Sequence, residues 1–193
     1  MDAFNAETQS YFDKGYLKTT AGKIKEYEDF AYDWAQINWY RWLPLGENVS
    51  DFYISAHFKW SSALRNANTS GCGIVFAVQE RGDHYAAFLD RSEVLFLNAD
   101  YGSSYSSLVK LTRGTGRVIF DNPADTPQEA DFTVIVKGAY TYVLVNGEMI
   151  GEYTLSQSRT LKGDIGLSVL SGTNRDFGTR CEITDIRLWM PDN

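Results

Sequence analysis

Proline, cysteine and histidine are all scarce in this sequence. Of its 193 residues, 4 are Pro, 2 are Cys and 2 are His, whereas aromatic residues are plentiful: 11 Phe, 12 Tyr and 5 Trp, 28 in all. This composition excludes disorder, collagen-like repeats and a coiled coil. No internal repeat, Pro-rich linker or low-complexity block divides the chain. We therefore expect one domain, residues 1–193, with 1–15 as a loosely packed N-terminal segment.

Clustered basic residues and long apolar runs are also missing. The chain carries 18 basic and 25 acidic residues, for a net charge of −7, which repels a phosphate backbone and argues against nucleic acid as a partner. The longest uncharged apolar run, Gly71–Val78, has eight residues. A membrane-spanning helix needs about 20, so membrane insertion is not expected. No basic start followed by an apolar run marks a signal peptide, so an export signal would lie outside this chain.

The two cysteines match no metal-binding spacing. Cys72 and Cys181 stand 109 positions apart. They could form one disulfide, or they could be two buried thiols in strands, and the sequence leaves both open.

Alternation of apolar and polar residues with a period of two recurs along the chain and predicts an all-β fold. The clearest hairpin is centred on Asn146-Gly147, because Asn-Gly accepts the positive φ angles of a two-residue type I′ turn. About a dozen strands suit a two-sheet antiparallel β-sandwich or jelly roll better than one open sheet. A short polar segment between Ala3 and Phe12 has a weak helical pattern. The predicted strands are Tyr16–Thr20, Gly22–Glu28, Ile37–Trp42, Asp51–Trp60, Gly71–Gln79, His84–Leu89, Glu93–Asn98, Arg117–Phe120, Phe132–Lys137, Thr141–Val145, Glu148–Thr154, Gly163–Ser171 and Arg180–Trp189.

An ordered set of motifs carries a resemblance to a known superfamily. The motifs are Trp39-Tyr-Arg-Trp-Leu-Pro-Leu45, Asp51-Phe-Tyr-Ile-Ser-Ala-His57, Gly73-Ile-Val-Phe-Ala-Val78, His84-Tyr-Ala-Ala-Phe88, Phe132-Thr-Val-Ile-Val-Lys-Gly138, Val143-Leu-Val-Asn-Gly147, Gly163-Asp-Ile-Gly-Leu167 and Ile183-Thr-Asp-Ile-Arg-Leu188. From about Tyr16 onward the chain resembles the concanavalin A-like lectin/glucanase jelly-roll superfamily. It is most similar to laminin-G-like modules of bacterial surface and secreted proteins and to 3-keto-disaccharide hydrolase-like domains. The resemblance implies an extracellular or cell-surface location, with other domains of a larger parent protein as further partners.

The motifs for catalysis known from this superfamily are missing. The laminarinase-type members carry Glu-x-Asp-x-x-Glu on one strand, which places two carboxylates on either side of the scissile bond, and no such run occurs here. The hydrolase-like relatives have Asn-Ser-Gly where this chain has Thr69-Ser70-Gly71, which weakens the enzymatic interpretation. There is no Gly-x-Ser-x-Gly elbow either. The two histidines, His57 and His84, are interpreted as ordinary hydrogen-bonded residues rather than catalytic ones.

Residues 38–42 are the best candidate for a binding site. Sugars are bound by flat apolar rings that stack on C–H groups and by planar polar side chains that pair with hydroxyls. Alternation sends Trp39 and Arg41 to one face of a strand and Asn38, Tyr40 and Trp42 to the other. The alternative is that both faces are covered and the tryptophans cap the core.

Two neighbouring strands are expected to complete this platform. On the first, the smaller set Gly73, Val75, Ala77 and Gln79 is predicted to face outward. On the second, the resemblance implies that Tyr85 and Leu89 face outward and that Phe88 is buried. The predicted ligand-binding residues are therefore Trp39, Arg41, Trp42, Gln79 and Tyr85.

Structural calcium is common in this superfamily, although no cofactor is required by the sequence. Asp121 and Asp125 belong to the densest cluster of oxygen ligands, which makes them the candidate metal ligands; a solvated acidic loop is the alternative. The leading hypothesis is a non-catalytic carbohydrate-binding or adhesion module of a bacterial extracellular protein. A glycoside-active enzyme and a purely structural sandwich domain are the alternatives, because one fold serves many functions.

Overall fold

The alternating segments form strands, and the N-terminal segment forms a helix. A computed structural model describes residues 3–64, 69–100, 102, 106–123 and 126–192. Among these residues, no helix is long and apolar enough to cross a membrane. The elements are α1 (Ala3–Asp13), β1 (Gly22–Glu26), β2 (Phe30–Trp34), β3 (Trp39–Val49), β4 (Phe52–Ser62), β5 (Gly71–Val78), β6 (His84–Leu89), β7 (Val94–Ala99), β8 (Ser106–Leu108), β9 (Lys110–Gly114), β10 (Gln128–Lys137), β11 (Tyr140–Val145), β12 (Glu148–Thr154), β13 (Gly163–Ser171) and β14 (Thr179–Pro191).

The strands form two antiparallel sheets, as predicted. Sheet A has the order β1-β14-β4-β10-β11-β12-β9, with β2 also paired to β14, and sheet B has the order β3-β13-β5-β6-β7-β8. The Asn146-Gly147 hairpin is confirmed: both residues have positive φ, 50° and 80°, and Val145 pairs with Glu148. A two-residue turn of this kind matches the right-handed twist of the strands that it joins.

The core lies between the two sheets and is built from one side of each. On β4 the inward residues include Phe52, Ile54 and Phe58, and on β5 they include Ile74 and Phe76. All five are 1% exposed or less. Because alternate residues of a strand point to opposite faces, each sheet also has an outer face. The two outer faces carry their own apolar clusters and differ in how they are covered.

A disulfide joins the sheets. Cys72 on β5 of sheet B is bonded to Cys181 on β14 of sheet A, with Cα atoms 5.8 Å apart and both residues fully buried. Of the two possibilities that the sequence left open, the structure shows the bridge.

The N-terminal segment is packed rather than loose, which corrects the sequence expectation. Helix α1 lies on the outer face of sheet A, where Tyr11 is 6% exposed and its ring contacts Tyr53 edge-on at 5.1 Å. The Thr8 hydroxyl is 2.8 Å from the Tyr53 hydroxyl in a buried hydrogen bond. Aromatic contacts and this polar pair hold the helix, although its own amphipathic pattern is weak.

Some strand predictions are wrong. Tyr16–Thr20 is unpaired and packs through Tyr16 against Tyr142, with ring centroids 4.4 Å apart. Arg117–Phe120 contributes one isolated bridge, from Arg117 to Glu93. Three strands, β2, β8 and β9, were not expected. β8 and β9 are fully exposed along their length, so they lack the buried alternate positions that identify a strand in sequence.

Candidate functional site

The outer face of sheet B carries a cluster of apolar and aromatic side chains, which we call the aromatic face. Its buried members are Tyr40, Val75, Ala86, Phe88 and Leu170, with Trp42, Val78, Leu95 and Leu97 half-buried around them. β3 is an edge strand of sheet B. The ring of Tyr40 on β3 packs on the ring of Phe88 on β6, with centroids 4.9 Å apart. The side chains of an edge strand therefore cover part of their own sheet.

His84 fixes this arrangement. Its Nδ1–H donates to the Gly82 carbonyl oxygen at 2.7 Å, and its Nε2 accepts from the Tyr40 hydroxyl at 2.6 Å. Burial lowers the pKa of His84, which favours the neutral ring that these two bonds require. The Trp42 ring lies 4.9 Å from the imidazole. His84 thus positions Tyr40 through a hydrogen bond and Trp42 through a ring contact, while its other nitrogen is bonded to the Gly82 carbonyl.

Trp39 lies where this cover ends. Its side chain is 46% exposed, and its ring stacks at 5.6 Å and 22° on Tyr40. Strict alternation predicts that the two rings lie on opposite faces of the strand. Instead both rings border the same cleft. The strand is preceded by a turn at Asn38, which has φ of 56°. The cleft has a volume of about 200 Å³ and is lined by Asn38, Trp39, Tyr40, Thr69, Leu95, Leu97, Ser106 and Leu170. We call it the Trp39 cleft.

Arg41 is not part of this cleft. Its guanidinium carbon lies 5.8 Å from the ring centre of Tyr32 and 5.5 Å from that of Trp34, both on β2. Cation–π contacts of this kind are worth roughly 0.5–1 kcal/mol at exposed sites. Arg41 therefore ties the edge of sheet B to the unexpected strand β2.

The outward set predicted for β5 is only partly correct. Val75 lies in the aromatic face, but Ala77, with φ of 53°, belongs to the core between the sheets. A β-bulge shifts the register here, so that Val75 pairs with Gly166 and Val78 pairs with Asp164. Since a bulge inserts one residue, it reverses the alternation that follows it.

Tyr85 and Leu89 face the core, so the facing predicted for these two residues and for Phe88 is wrong. Tyr85 is 1% exposed and stacks on Phe76 at 5.7 Å. Its hydroxyl accepts a hydrogen bond from the Ser156 amide at 3.1 Å. Phe88 is the residue on the outer face, where Tyr40 covers it. Both sets of alternate residues in the six-residue strand β6 are largely apolar, so alternation alone could not decide which set faces the core.

Gln79 borders a different cavity at one end of the sandwich, which we call the end pocket. Its volume is about 810 Å³, and its walls are mainly polar: Asn48, Val78, Gln79, Glu80, Arg81, Asp83, Asp100, Ser158, Arg159, Thr160, Lys162, Gly163 and Asp164. The Gln79 amide nitrogen donates to the carbonyl oxygens of Ala77 and Lys162, each at 2.9 Å. Gln79 thus holds two chain segments together at the pocket rather than pointing freely into it.

Charges of both signs meet in the end pocket. An Arg159 nitrogen lies 3.6 Å from Asp100, and the Asn48 amide donates to Asp164 at 3.0 Å. Planar guanidinium, amide and carboxylate groups of this kind can pair with neighbouring hydroxyls of a sugar. Apart from Gln79, the residues of this site were not predicted, because its walls come from segments that are distant along the chain.

The described structure does not test the predicted pair of calcium ligands. Asp121 is exposed, and Asp125 lies outside the described residues. Within the described ranges, no three His, Cys, Asp or Glu side chains are placed to hold a metal ion.

Comparison with known proteins identifies the fold. No protein-family model and no curated protein sequence matches the chain. The structure is similar to the carbohydrate-binding module CBM66 from Bacillus subtilis, with a TM-score of 0.56 and 10% identity over 85% of this chain and 94% of that one. It is also similar to the apo Crh5 transglycosylase, with a TM-score of 0.54 and 9% identity over 84% of this chain and 72% of that one. A fructosyltransferase from A. japonicus matches with a TM-score of 0.55 and 14% identity; 93% of this chain is covered, but only 28% of that chain.

The fold is therefore a two-sheet antiparallel jelly-roll sandwich like that of these structures, as predicted from the sequence. At these identities the likeness concerns the fold, and function has to be argued from the sites.

Proposed function

We propose that this protein is a non-catalytic carbohydrate-binding or adhesion module of a bacterial extracellular protein and that it binds glycan at the Trp39 cleft. The observation that carries the proposal is the half-exposed Trp39 ring beside a cleft on the outer face of a sheet. An exposed indole offers a flat apolar surface for sugar C–H groups, and burying it on binding removes apolar area from water. Asn38, Thr69 and Ser106 supply polar atoms at the same cleft.

Two further facts support the proposal. One of the similar structures, CBM66, is a carbohydrate-binding module. The Cys72–Cys181 disulfide suits an oxidising, extracellular environment, where such bridges persist.

A glycan array followed by calorimetry, with and without calcium, tests the proposal. We expect a polysaccharide to bind and Trp39→Ala to weaken the affinity about tenfold or more, since exposed aromatic anchors dominate such interfaces. Tyr140→Ala is the matched control, because Tyr140 is 45% exposed, close to the 46% of Trp39, but lies on sheet A. If no polysaccharide binds under either condition, or if both variants behave alike, the proposal is wrong.

The end pocket favours one alternative, a glycoside-active enzyme of the 3-keto-disaccharide hydrolase-like kind. Asp83, Asp100 and Asp164 line a single cavity, and glycoside hydrolysis usually needs two carboxylates beside the sugar. This alternative expects release of reducing sugar from glycosides, abolished by Asp83→Asn or Asp164→Asn and unaffected by Trp39→Ala. The other alternative, a purely structural sandwich, expects neither binding nor turnover.

A further inference from the structure

A second cavity lies on the outer face of sheet A, beside helix α1, and we call it the sheet A pocket. Its volume is about 640 Å³, within the range of roughly 300–1,000 Å³ that small-molecule sites occupy. Residues of α1, β4, β10, β14, the end of β1 with the segment after it, and the β11–β12 turn line it: Glu7, Tyr11, Glu26, Tyr27, Asp29, Ser55, Ala56, His57, Asp131, Thr133, Gly147, Asp185, Ile186 and Arg187.

A bulge in β14 shapes the floor of this pocket. Thr184 pairs with His57 and Arg187 pairs with Ser55, so Asp185 and Ile186 together oppose Ala56 alone. Asp185 has φ of 52°, and its side chain is exposed in the pocket wall, whereas Ile186 is buried in the core. The bulge therefore turns a carboxylate toward a position where a regular strand would continue the ladder.

The pocket is strongly acidic. Glu7, Glu26, Asp29, Asp131 and Asp185 line the pocket together with one guanidinium, that of Arg187, so its formal charges are five negative and one positive when His57 is neutral. A nitrogen of Arg187 lies 3.8 Å from a Glu7 oxygen, which leaves four carboxylates beyond that pair. Such a site attracts a cation.

The hydrogen-bonding groups of the pocket mostly accept. His57 Nδ1 is 2.8 Å from Asp131 Oδ1, so in the neutral ring Nδ1–H donates to the carboxylate and Nε2 is left as an acceptor. Tyr11 donates its hydroxyl proton to Glu7 at 2.9 Å. Carboxylate oxygens and an imidazole nitrogen together suit a ligand rich in N–H and O–H donors.

An independent observation points to a ligand with hydroxyl groups. Ser55 is 5% exposed, lies on the outward side of β4, and its buried Oγ has no hydrogen-bond partner within the described ranges. The buried Nε of Arg187, which pairs with Ser55 across the two strands, likewise has no hydrogen-bond partner within the described ranges. A buried polar atom without a partner is costly, and most such atoms in native proteins are satisfied by protein, water or ligand. One hydroxyl group can accept from Arg187 and donate to Ser55.

We propose that the sheet A pocket binds a protonated amino sugar. The ammonium group is placed among the carboxylates of Asp131, Asp185 and Glu26, and ring hydroxyls satisfy Ser55 Oγ and Arg187 Nε. Neither a neutral sugar nor a simple polyamine fits both halves of the pocket, because the first lacks the cation and the second lacks the acceptor oxygens. This site is on the opposite sheet from the Trp39 cleft, so the inference does not depend on the proposed function.

Calorimetry and NMR titration with oligomers of glucosamine, of N-acetylglucosamine and of glucose test the ligand class. These probes share the ring hydroxyls and differ in the charge at one position. We expect the glucosamine oligomer to bind at least about tenfold more tightly than either neutral oligomer, with backbone shifts at Ser55, His57 and Asp185. Equal binding of all three, or no binding of the glucosamine oligomer, overturns the proposal. Binding of cadaverine as tight as that of the glucosamine oligomer overturns its sugar part.

Matched variants locate the site. Asp185→Asn removes one pocket charge, and Asn tolerates the left-handed backbone, so we expect about fivefold weaker binding of the glucosamine oligomer. Asp176→Asn is the control, because Asp176 also has positive φ, 45°, and is exposed outside the pocket. Ser55→Ala should weaken binding about fivefold through its lost hydrogen bond. Shifts at Ser55, His57 and Asp185 report on the sheet A pocket, whereas a ligand at the Trp39 cleft would shift β3, so the two failures can be told apart. If Asp185→Asn and Asp176→Asn behave alike, the site is not the sheet A pocket.

Discussion

The outer faces of the two sheets both carry apolar side chains, but these side chains are covered in different ways. Each sheet carries apolar side chains on the side away from the core. On sheet A, helix α1 supplies the cover: Tyr53 lies between Tyr11 and Trp189, at 5.1 and 5.5 Å between ring centroids. On sheet B, the aromatic residues of edge strand β3 fold over their own sheet, with Tyr40 on Phe88.

In both cases a cavity lies where the cover ends. On sheet A the helix covers Tyr53, but two residues further along β4 lies Ser55, in the wall of the sheet A pocket. On sheet B the rings cover Phe88, but Trp39 at the start of β3 stays half-exposed beside its cleft. The difference is chemical: the first cavity is acidic and polar, and the second is aromatic. We infer that the outer faces of this sandwich are available for binding only where their cover is incomplete.

The largest expected effect concerns the bond that joins the two sheets. Replacing both Cys72 and Cys181 by Ala should lower the free energy of unfolding by about 4–5 kcal/mol, because the bridge closes a loop of about 100 residues in the unfolded chain. Denaturant unfolding followed by circular dichroism and by tryptophan fluorescence measures it. Protein refolded in reductant is the control, since it loses the bond without losing a side chain. A loss below about 1 kcal/mol in both would show that the bridge adds little to the packing between the sheets.

The next effect compares the two covers directly. Tyr11→Ala should cost about 3 kcal/mol of unfolding free energy, because a buried ring that packs on Tyr53 is removed. Trp39→Ala should cost less than about 1 kcal/mol, since nearly half of that side chain is in water already. Thermal and chemical denaturation of both variants checks the ranking. Equal losses would mean that Trp39 is part of the cover of sheet B and would remove the reason to place a ligand there.

The last effect depends on pH, reaches its full size only above about pH 6, and concerns a buried carboxyl group directly after β6 of sheet B. Asp90 is 1% exposed, and its carboxylate accepts from the Ser92 and Glu93 amides at 2.7 and 2.9 Å. Burial raises the pKa of Asp90 from 3.8 to about 6. Between these values the folded state binds more protons than the unfolded state, so Asp90 makes the unfolding free energy fall as pH rises through this window.

Asp90→Asn keeps the acceptor oxygen and removes the titration. The free energy of unfolding of the variant should nearly equal that of the native protein below about pH 4. Above pH 6 it should exceed the native value by at most about 3 kcal/mol. The lowered pKa of His84 contributes in the opposite direction, but equally in both proteins, so it cancels from the difference. Denaturant unfolding across this pH range measures the change, and a difference that is independent of pH would contradict it.

The elements that sequence predicted well are those with local signals. The Asn146-Gly147 turn depends on two adjacent residues, and strands such as β10 and β13 have long apolar patterns. The errors come from places where the local signal is weak or reversed. β8 and β9 have no buried positions. The bulges at Ala77 and Asp185 interrupt the alternation, and no neighbouring residue in the sequence indicates a bulge at either place.

The candidate sites were harder to predict than the fold. Trp39 and Trp42 were singled out because a local excess of aromatic residues is visible in sequence, and the structure places both at the aromatic face or its cleft. Arg41, Gln79 and Tyr85 were grouped with them but lie against β2, at the end pocket and in the core. Whether any of these residues binds a ligand stays a prediction.

The sequence by itself determined the all-β class, the two-sheet sandwich and the position of the main hairpin, because alternation and turn chemistry act between residues that are close along the chain. Only the tertiary structure decided that Cys72 meets Cys181, that α1 covers Tyr53, and that five carboxylates line the same pocket as Ser55, whose hydroxyl has no partner within the described ranges. These outcomes depend on how the sheets pack and where β-bulges shift their registers. Such contacts join residues that lie far apart along the chain, such as Glu7 and Arg187, and no local pattern of residue types specifies them.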